Sequence, residues 1–136
     1  MDKSCCNAIR LPGSLRAQVT AATTNSLGTV ATPNGAGVVE VTGGTVAGNN
    51  VFHRFSSYNT NQAQITGVQF QNTVPNVIVG ILNAATINKP VSLLSPGNLL
   101  LLSPQGLTLG AGASFNGVNT LLLSTASAIK LGGSTF

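Results

Sequence analysis

The sequence predicts an all-β fold: a right-handed parallel β-helix, built as a three-faced solenoid with an N-terminal cap and short antiparallel extra strands. Three observations point there. Charged residues make up 6% of the 136-residue chain, against roughly 25% in an average soluble domain. Asn, Thr, Ser, Gln and Gly take their place, and Glu, a usual resident of exposed helix faces, occurs only at Glu40. Apolar residues alternate with others at period 2 in short runs broken by Gly, Asn and Pro, and no stretch sustains a 3.6-residue period. Apolar positions also recur 22 residues apart: Val79, Leu101 and Leu123 form one series, Leu107 with Ile129 and Leu109 with Leu131 two more. Repeated offsets of that size mean short strands joined by tight corners, with inward side chains stacked coil upon coil.

Along the chain, residues 1–22 are expected to be a flexible lead segment and residues 23–136 the β-helix. Lys3 and Arg10 are followed by no apolar run of signal-peptide length. Cys5 and Cys6 are adjacent, a poor geometry for bonding to each other, and count as incidental thiols. The strands begin near Val19. Val39 and Val41 flank Glu40, Leu107 and Leu109 flank Thr108, Leu121 and Leu123 flank Leu122, and Ile129 and Leu131 flank Lys130. Between such runs lie Thr32-Pro33-Asn34-Gly35, Gly43-Gly44, Gly48-Asn49-Asn50, Ser95-Pro96-Gly97-Asn98 and Ser103-Pro104-Gln105-Gly106, each with a preset proline φ or a residue tolerant of positive φ. Asn49, Asn50, Asn59, Asn61, Asn72 and Asn76 are candidates for stacked amide ladders at coil corners. An antiparallel β-sandwich is the alternative, because Asn34-Gly35 and Asn116-Gly117 are hairpin dipeptides.

Composition also excludes chemistries. The net charge of +4 is divided between the lead segment, with Lys3, Arg10 and Arg16 against Asp2, and the remainder, with Arg54, Lys89 and Lys130 against Glu40. No cationic cluster of the kind that neutralises several phosphates results, which argues against nucleic acid. No apolar stretch approaches the roughly 20 residues of a membrane-spanning helix. Asp2 and Glu40 are the only acidic side chains, too few and too far apart in sequence for paired-carboxylate catalysis, so no enzyme is expected. Metal and cofactor sites are not expected either, since His53 is the one histidine and Gly110-Ala111-Gly112 precedes no helix. Alternation puts Phe52 with Arg54 on one face and His53 with Phe55 on the other. His53 is then a packing histidine beside two phenylalanines; as a general base it would have only Glu40 to orient it.

Four segments carry a family resemblance. Ser103-Pro104-Gln105-Gly106-Leu107, with the strand running on to Phe115, resembles the Asn-Pro-Asn-Gly-Ile turn and following strand of the filamentous-haemagglutinin secretion domain. The continuation from Leu121 to Leu131 looks like that family's next coil. Ala31-Thr32-Pro33-Asn34-Gly35 is similar to an early turn of the same domain. Gly43-Gly44-Thr45, together with Phe52-His53-Arg54-Phe55, resembles its Gly-Gly-Thr and Phe-His-x-Phe segment. The similarity covers residues 27–132 in the family's order, and departs from it where Ser and Gln stand for the two Asn of the turn.

The resemblance implies the secretion and recognition domain of a two-partner-secretion exoprotein of haemagglutinin or adhesin type. Such a domain is recognised by the periplasmic domains of an outer-membrane transporter and seeds β-helix folding at the surface of a Gram-negative-type bacterium. The turn Ser103, Pro104, Gln105, Gly106 and Leu107 would then belong to transporter recognition. Thr32, Pro33, Asn34, Gly35, Phe52, His53 and Phe55 would mark the family's other segments. One alternative is a self-assembling solenoid whose coil ends stack into filaments. Another is a carbohydrate-binding adhesin using Tyr58, Arg54 and the Asn-rich loops.

Overall fold

Aliphatic alternation sets the strands, and stacking of like on like sets their order. The computed structural model describes residues 19–127, 130–131 and 134–135, and its helix and strand content is strand alone. In chain order the strands are β1 (Thr20–Ala21), β2 (Thr29–Pro33), β3 (Val38–Gly43), β4 (Thr45–Ala47), β5 (Asn50–Asn59), β6 (Gly67–Phe70), β7 (Asn76–Ile81), β8 (Ala85–Ile87), β9 (Pro90–Leu102), β10 (Leu107–Leu109), β11 (Ser114–Ser124), β12 (Lys130–Leu131) and β13 (Ser134–Thr135). β1 to β11 form one sheet wound as a β-solenoid of about three turns, and β12 and β13 pair separately with each other.

Each face is a parallel stack. On the first, β3, β6, β9 and β11 align Val39, Val68, Val91 and Phe115. On the second, β5, β7 and the far halves of β9 and β11 align Val51, Val77, Leu99 and Leu121, and beside them His53, Val79, Leu101 and Leu123. The third aligns Tyr58 of β5, Ala85 of β8 and Leu107 of β10. The inward residues of the inner coils are fully buried, among them Phe55, Phe70, Val79, Leu99 and Leu101. Burial of each such side chain stabilises by roughly 1.5–3 kcal/mol.

The 22-residue offset holds from Val77 through Leu99 to Leu121, and from Val79 through Leu101 to Leu123. It fails in the first coil, where Val51 aligns with Val77 and Val39 with Val68, offsets of 26 and 29. That coil carries two insertions: the excursion through β4, which returns as an antiparallel partner of β5, and the loop of residues 60–66. Periodicity is therefore invisible in the first half of the sequence.

The cap is made of three short antiparallel strands. β2 pairs with β3, β1 meets β5 at Phe55 and Ser57, and β4 pairs with the start of β5. Asn34-Gly35 thus does form a hairpin, but within the cap. Asn116-Gly117 lies inside β11 at a corner, where Gly117 takes a φ of +73°. The stacks are parallel, so the sandwich alternative does not hold.

Two expected boundaries move. The lead segment was to run through Ala22, yet Thr20–Ala21 already pairs with β5, and Val19 and Ala22 are buried. At the other end Leu131 pairs antiparallel with Ser134 and does not stack on Leu109. Ile129, Cys5 and Cys6 lie outside the described residues.

Polar side chains staple the corners. Asn72, between the first and second faces, donates to the carbonyls of Val74 and Ser95, both at 2.9 Å, and accepts the Ser95 N–H at 3.1 Å. Thr60, between the third and first, accepts the N–H of Asn88 at 2.9 Å, while Asn88 donates to Asn61 at 2.9 Å. Lys89 closes the 60–66 insertion from within: its ammonium donates to the carbonyls of Thr60, Gln62 and Ile65 at 3.3, 3.1 and 2.7 Å. Buried polar groups held in this way avoid the penalty of unmet hydrogen bonds.

Candidate functional site

Ser103-Pro104-Gln105-Gly106 folds as a reverse turn, closed by a 3.0 Å bond from the Gly106 N–H to the Ser103 carbonyl. Ser103 is fully buried and its hydroxyl lies 2.6 Å from the Gly106 carbonyl oxygen and 3.2 Å from that of Asn83. Pro104 and Gln105 stand exposed, and Leu107 opens β10 on top of Ala85. The turn is anchored at its base and offers its tip to solvent. Gln105 does not have positive φ; Gly106 does, at +124°. Replacement of the family's second Asn by Gln therefore demands no left-handed backbone here.

At the cap, Asn34 organises the hairpin tip. Its carbonyl accepts the N–H groups of Ala36 and Val38 at 2.8 and 3.1 Å, and its amide donates to Glu40 at 2.9 Å. Thr32, Pro33, Asn34 and Gly35 are exposed. Glu40 is thereby occupied with the cap turn.

Alternation along β5 is as expected, with His53 and Phe55 inward and Phe52 and Arg54 half-buried on the outer side. The two aromatic neighbours of His53 are Phe55 and Phe70, with ring centroids 6.4 and 5.6 Å away, so Phe70 takes the place expected for Phe52. The Thr29 hydroxyl of the cap lies 3.1 Å from His53 Nδ1 and accepts the N–H of Arg54 at 3.1 Å. Gly44 lies against the same imidazole: a Cβ there would come within 2.7 Å of Cε1. The Gly-Gly and Phe-His-x-Phe segments thus belong to one packing unit that seats the cap on the first coil.

Burial lowers the pKa of His53 from 6.5 to about 4. The stability consequence has a definite sign. Above pH 6.5 the imidazole is neutral in both states and the fold keeps its full stability. As pH falls from 6.5 toward 4 the unfolded chain takes up the proton first, so stability is lost across that window. The loss approaches about 3 kcal/mol at most. His53 is the one histidine. Denaturant midpoints measured from pH 7 to pH 4.5 are expected to fall, and a His53→Phe variant is expected to flatten that slope.

Tyr58, considered above as a surface platform, is fully buried, edge-on to Phe55 with ring centroids 5.4 Å apart. Its hydroxyl finds no hydrogen-bond partner and burial pushes its pKa far up. An orphan buried hydroxyl costs on the order of 1–3 kcal/mol. Tyr58→Phe is expected to raise the melting temperature, with a gain of about 1 kcal/mol; a lower melting temperature would show that the hydroxyl is satisfied.

The predicted segments do not converge on one pocket. The turn at Ser103 sits on a corner of the third coil, His53 inside the first and Asn34 at the tip of the cap. Among the described residues no three of His, Cys, Asp and Glu come together as a metal cluster.

What the solenoid does bring together lies on the outer side of the second face. Asn76 donates to Asn50 and Asn98 to Asn76, each at 2.9 Å, and Thr120 continues the row in register. Beside this ladder runs the apolar row Phe52, Ile78, Leu100 and Leu122, in which Ile78 is fully buried, Phe52 and Leu100 are half-buried and Leu122 is exposed. Asn50, Asn76, Asn98 and Thr120 of the ladder, with Ile78, Leu100, Leu121 and Leu122, line a groove of about 440 Å³. Asn98 was missed in the sequence, although it stands 22 residues after Asn76; applying the apolar offset to amides would have found it. Thr29 and Lys89 left no such signal, because their partners are set by the insertions of the first coil.

The two ends of the solenoid differ. The first coil is covered by β1, β2 and β4. At the other end, β11 pairs with β9 along one side and, among the described residues, no strand pairs its other side. Leu121, whose stack partners Val77 and Leu99 are fully buried, is 38% exposed there. Comparison with known proteins gives no match: no family model, no curated protein and no solved structure is significantly similar to this chain.

Proposed function

We propose that the chain is the secretion and folding-seed domain of a two-partner-secretion exoprotein, recognised by an outer-membrane transporter and acting at the bacterial surface. The observation that carries this reading is the difference between the two ends. A first coil covered by the cap and a last one whose outer edge is paired by no strand among the described residues make a template with a single direction of growth. Each added coil buries the apolar face of the one before, so a solenoid lengthens by nearest-neighbour contacts. The order of the four family-like segments, and the anchored turn that presents Pro104 and Gln105, support the same reading. A transporter domain can take the extended chain as an added strand before it coils.

The test is export of a passenger fused behind Phe136, with a periplasmic signal in front and a two-partner transporter co-expressed. The passenger is expected outside the cell only when the transporter is present. Pro104→Ala combined with Gln105→Ala is expected to reduce export several-fold while leaving the β-type circular dichroism of the purified chain unchanged. A passenger held in the periplasm with transporters from several such systems would remove the proposal.

A further inference from the structure

We infer that the loop of residues 60–66 is a receptor for a primary ammonium group, and that Lys89, delivered from the next coil, is its tethered occupant. Three observations lead there. First, donors and acceptors match one for one. A lysine ammonium has three N–H bonds, and three backbone carbonyls, those of Thr60, Gln62 and Ile65, lie 3.3, 3.1 and 2.7 Å from Lys89 Nζ. Second, no carboxylate of the described residues takes part. Glu40, the one acidic side chain among them, is held at the cap turn by Asn34. Carbonyl dipoles alone meet the charge, as in sites that replace the hydration shell of a monovalent cation. A divalent ion would call for more oxygen ligands, carboxylates among them. Third, the carbonyls are aimed by bonds in which Lys89 has no share. The Thr60 N–H donates to the Thr86 carbonyl at 3.1 Å, and the Thr60 hydroxyl accepts the Asn88 N–H at 2.9 Å. Ile65 is buried and its N–H donates to the Gln62 carbonyl at 3.1 Å. Thr66 donates from its N–H to the Gly37 carbonyl at 3.0 Å and from its hydroxyl to that of Ala36 at 2.8 Å.

Lys89 is half-buried, and taking its ammonium away would leave three carbonyls converging on a gap. Unmet acceptors of that kind are costly, so the loop opens more often. The pins at Thr60, Ile65 and Thr66 meanwhile keep the gap ready for another ammonium of the same shape. What the loop requires of position 89 is the charged head with its three N–H bonds, and the carbon stem only delivers it. The inference does not depend on export.

The experiment is chemical rescue in the full chain, read by hydrogen exchange of the Ile65 amide in Lys89→Ala. Truncation is expected to speed that exchange roughly tenfold or more. Propylammonium chloride, which restores the atoms removed, is expected to slow it again and to saturate. Tetramethylammonium chloride at the same concentration carries the charge without N–H bonds and is expected to leave the exchange fast. The wild-type chain, its receptor already filled, is expected to respond to neither salt. Lys89→Met keeps most of the stem and loses the charge, so it tests the head without emptying the space. It is expected to exchange as fast as the alanine variant and to gain nothing from propylammonium. Wild-type protection in Lys89→Met, no effect of propylammonium on Lys89→Ala, or equal rescue by the two salts would each overturn the inference. None of these results bears on passenger export, so the two proposals fail separately.

Discussion

Leu101→Ala is expected to destabilise the fold by about 3–4 kcal/mol, near the upper part of the range for a buried leucine truncated to alanine. Leu101 is fully buried and stands in the middle of a stack, with Val79 below and Leu123 above. The cavity left by its side chain opens between coils whose backbones are held at a fixed ladder spacing of about 4.8 Å, so the walls have little freedom to collapse. Leu109→Ala is the control. That leucine is 47% exposed on β10, and its truncation is expected to cost less than about 0.5 kcal/mol. Urea denaturation followed by circular dichroism measures both. Similar losses in the two variants would mean that the interior is not packed as described.

Gly44→Ala is the second large effect, expected at about 2–4 kcal/mol. Two causes combine. Gly44 has a φ of +86°, which an L side chain adopts only with strain, and its new methyl would lie 2.7 Å from His53 Cε1 and from Val51 Cγ2, and 3.0 Å from the Phe52 carbonyl oxygen. Gly48→Ala separates the causes, because Gly48 has a φ of +62° with nothing within 4 Å of the new atom. It is expected to cost about 1 kcal/mol, the strain alone. The Gly44 variant should also move the His53 Cε1 proton resonance, which the Gly48 variant should leave in place. Equal stabilities for the two would show that the imidazole does not rest on Gly44.

The parts of the fold legible in the sequence were those made by repetition. Val79, Leu101 and Leu123 are one stack because nothing is inserted between them, and a constant offset is the direct image of a constant coil. The first coil was illegible for the opposite reason. Its two insertions shift Val39 and Val51 out of step with Val68 and Val77, and a single sequence contains no marker that subtracts them. His53 could be placed inward from alternation alone, but its partner could not: Phe70 arrives from the next coil and Phe52 points away. The cap turn and the Ser103 turn were legible through Pro, Asn and Gly. That no described strand pairs the outer edge of β11 was not legible, since which strands neighbour one another is a property of the assembled sheet.

The Asn50–Asn76–Asn98 ladder has a consequence for fidelity of assembly. Its two amide bonds run in one sense, each coil donating to the one before. Moved one position along its strand, an amide would turn to the interior among Val77 and Leu99, stripped of its partners, while a leucine came out to water. Slippage is thereby penalised twice at the same place, once by a stranded dipole and once by a wetted hydrocarbon. A row of three uncharged residues thus acts as an error check on how successive windings are laid down, in a wall that otherwise offers runs of interchangeable leucines.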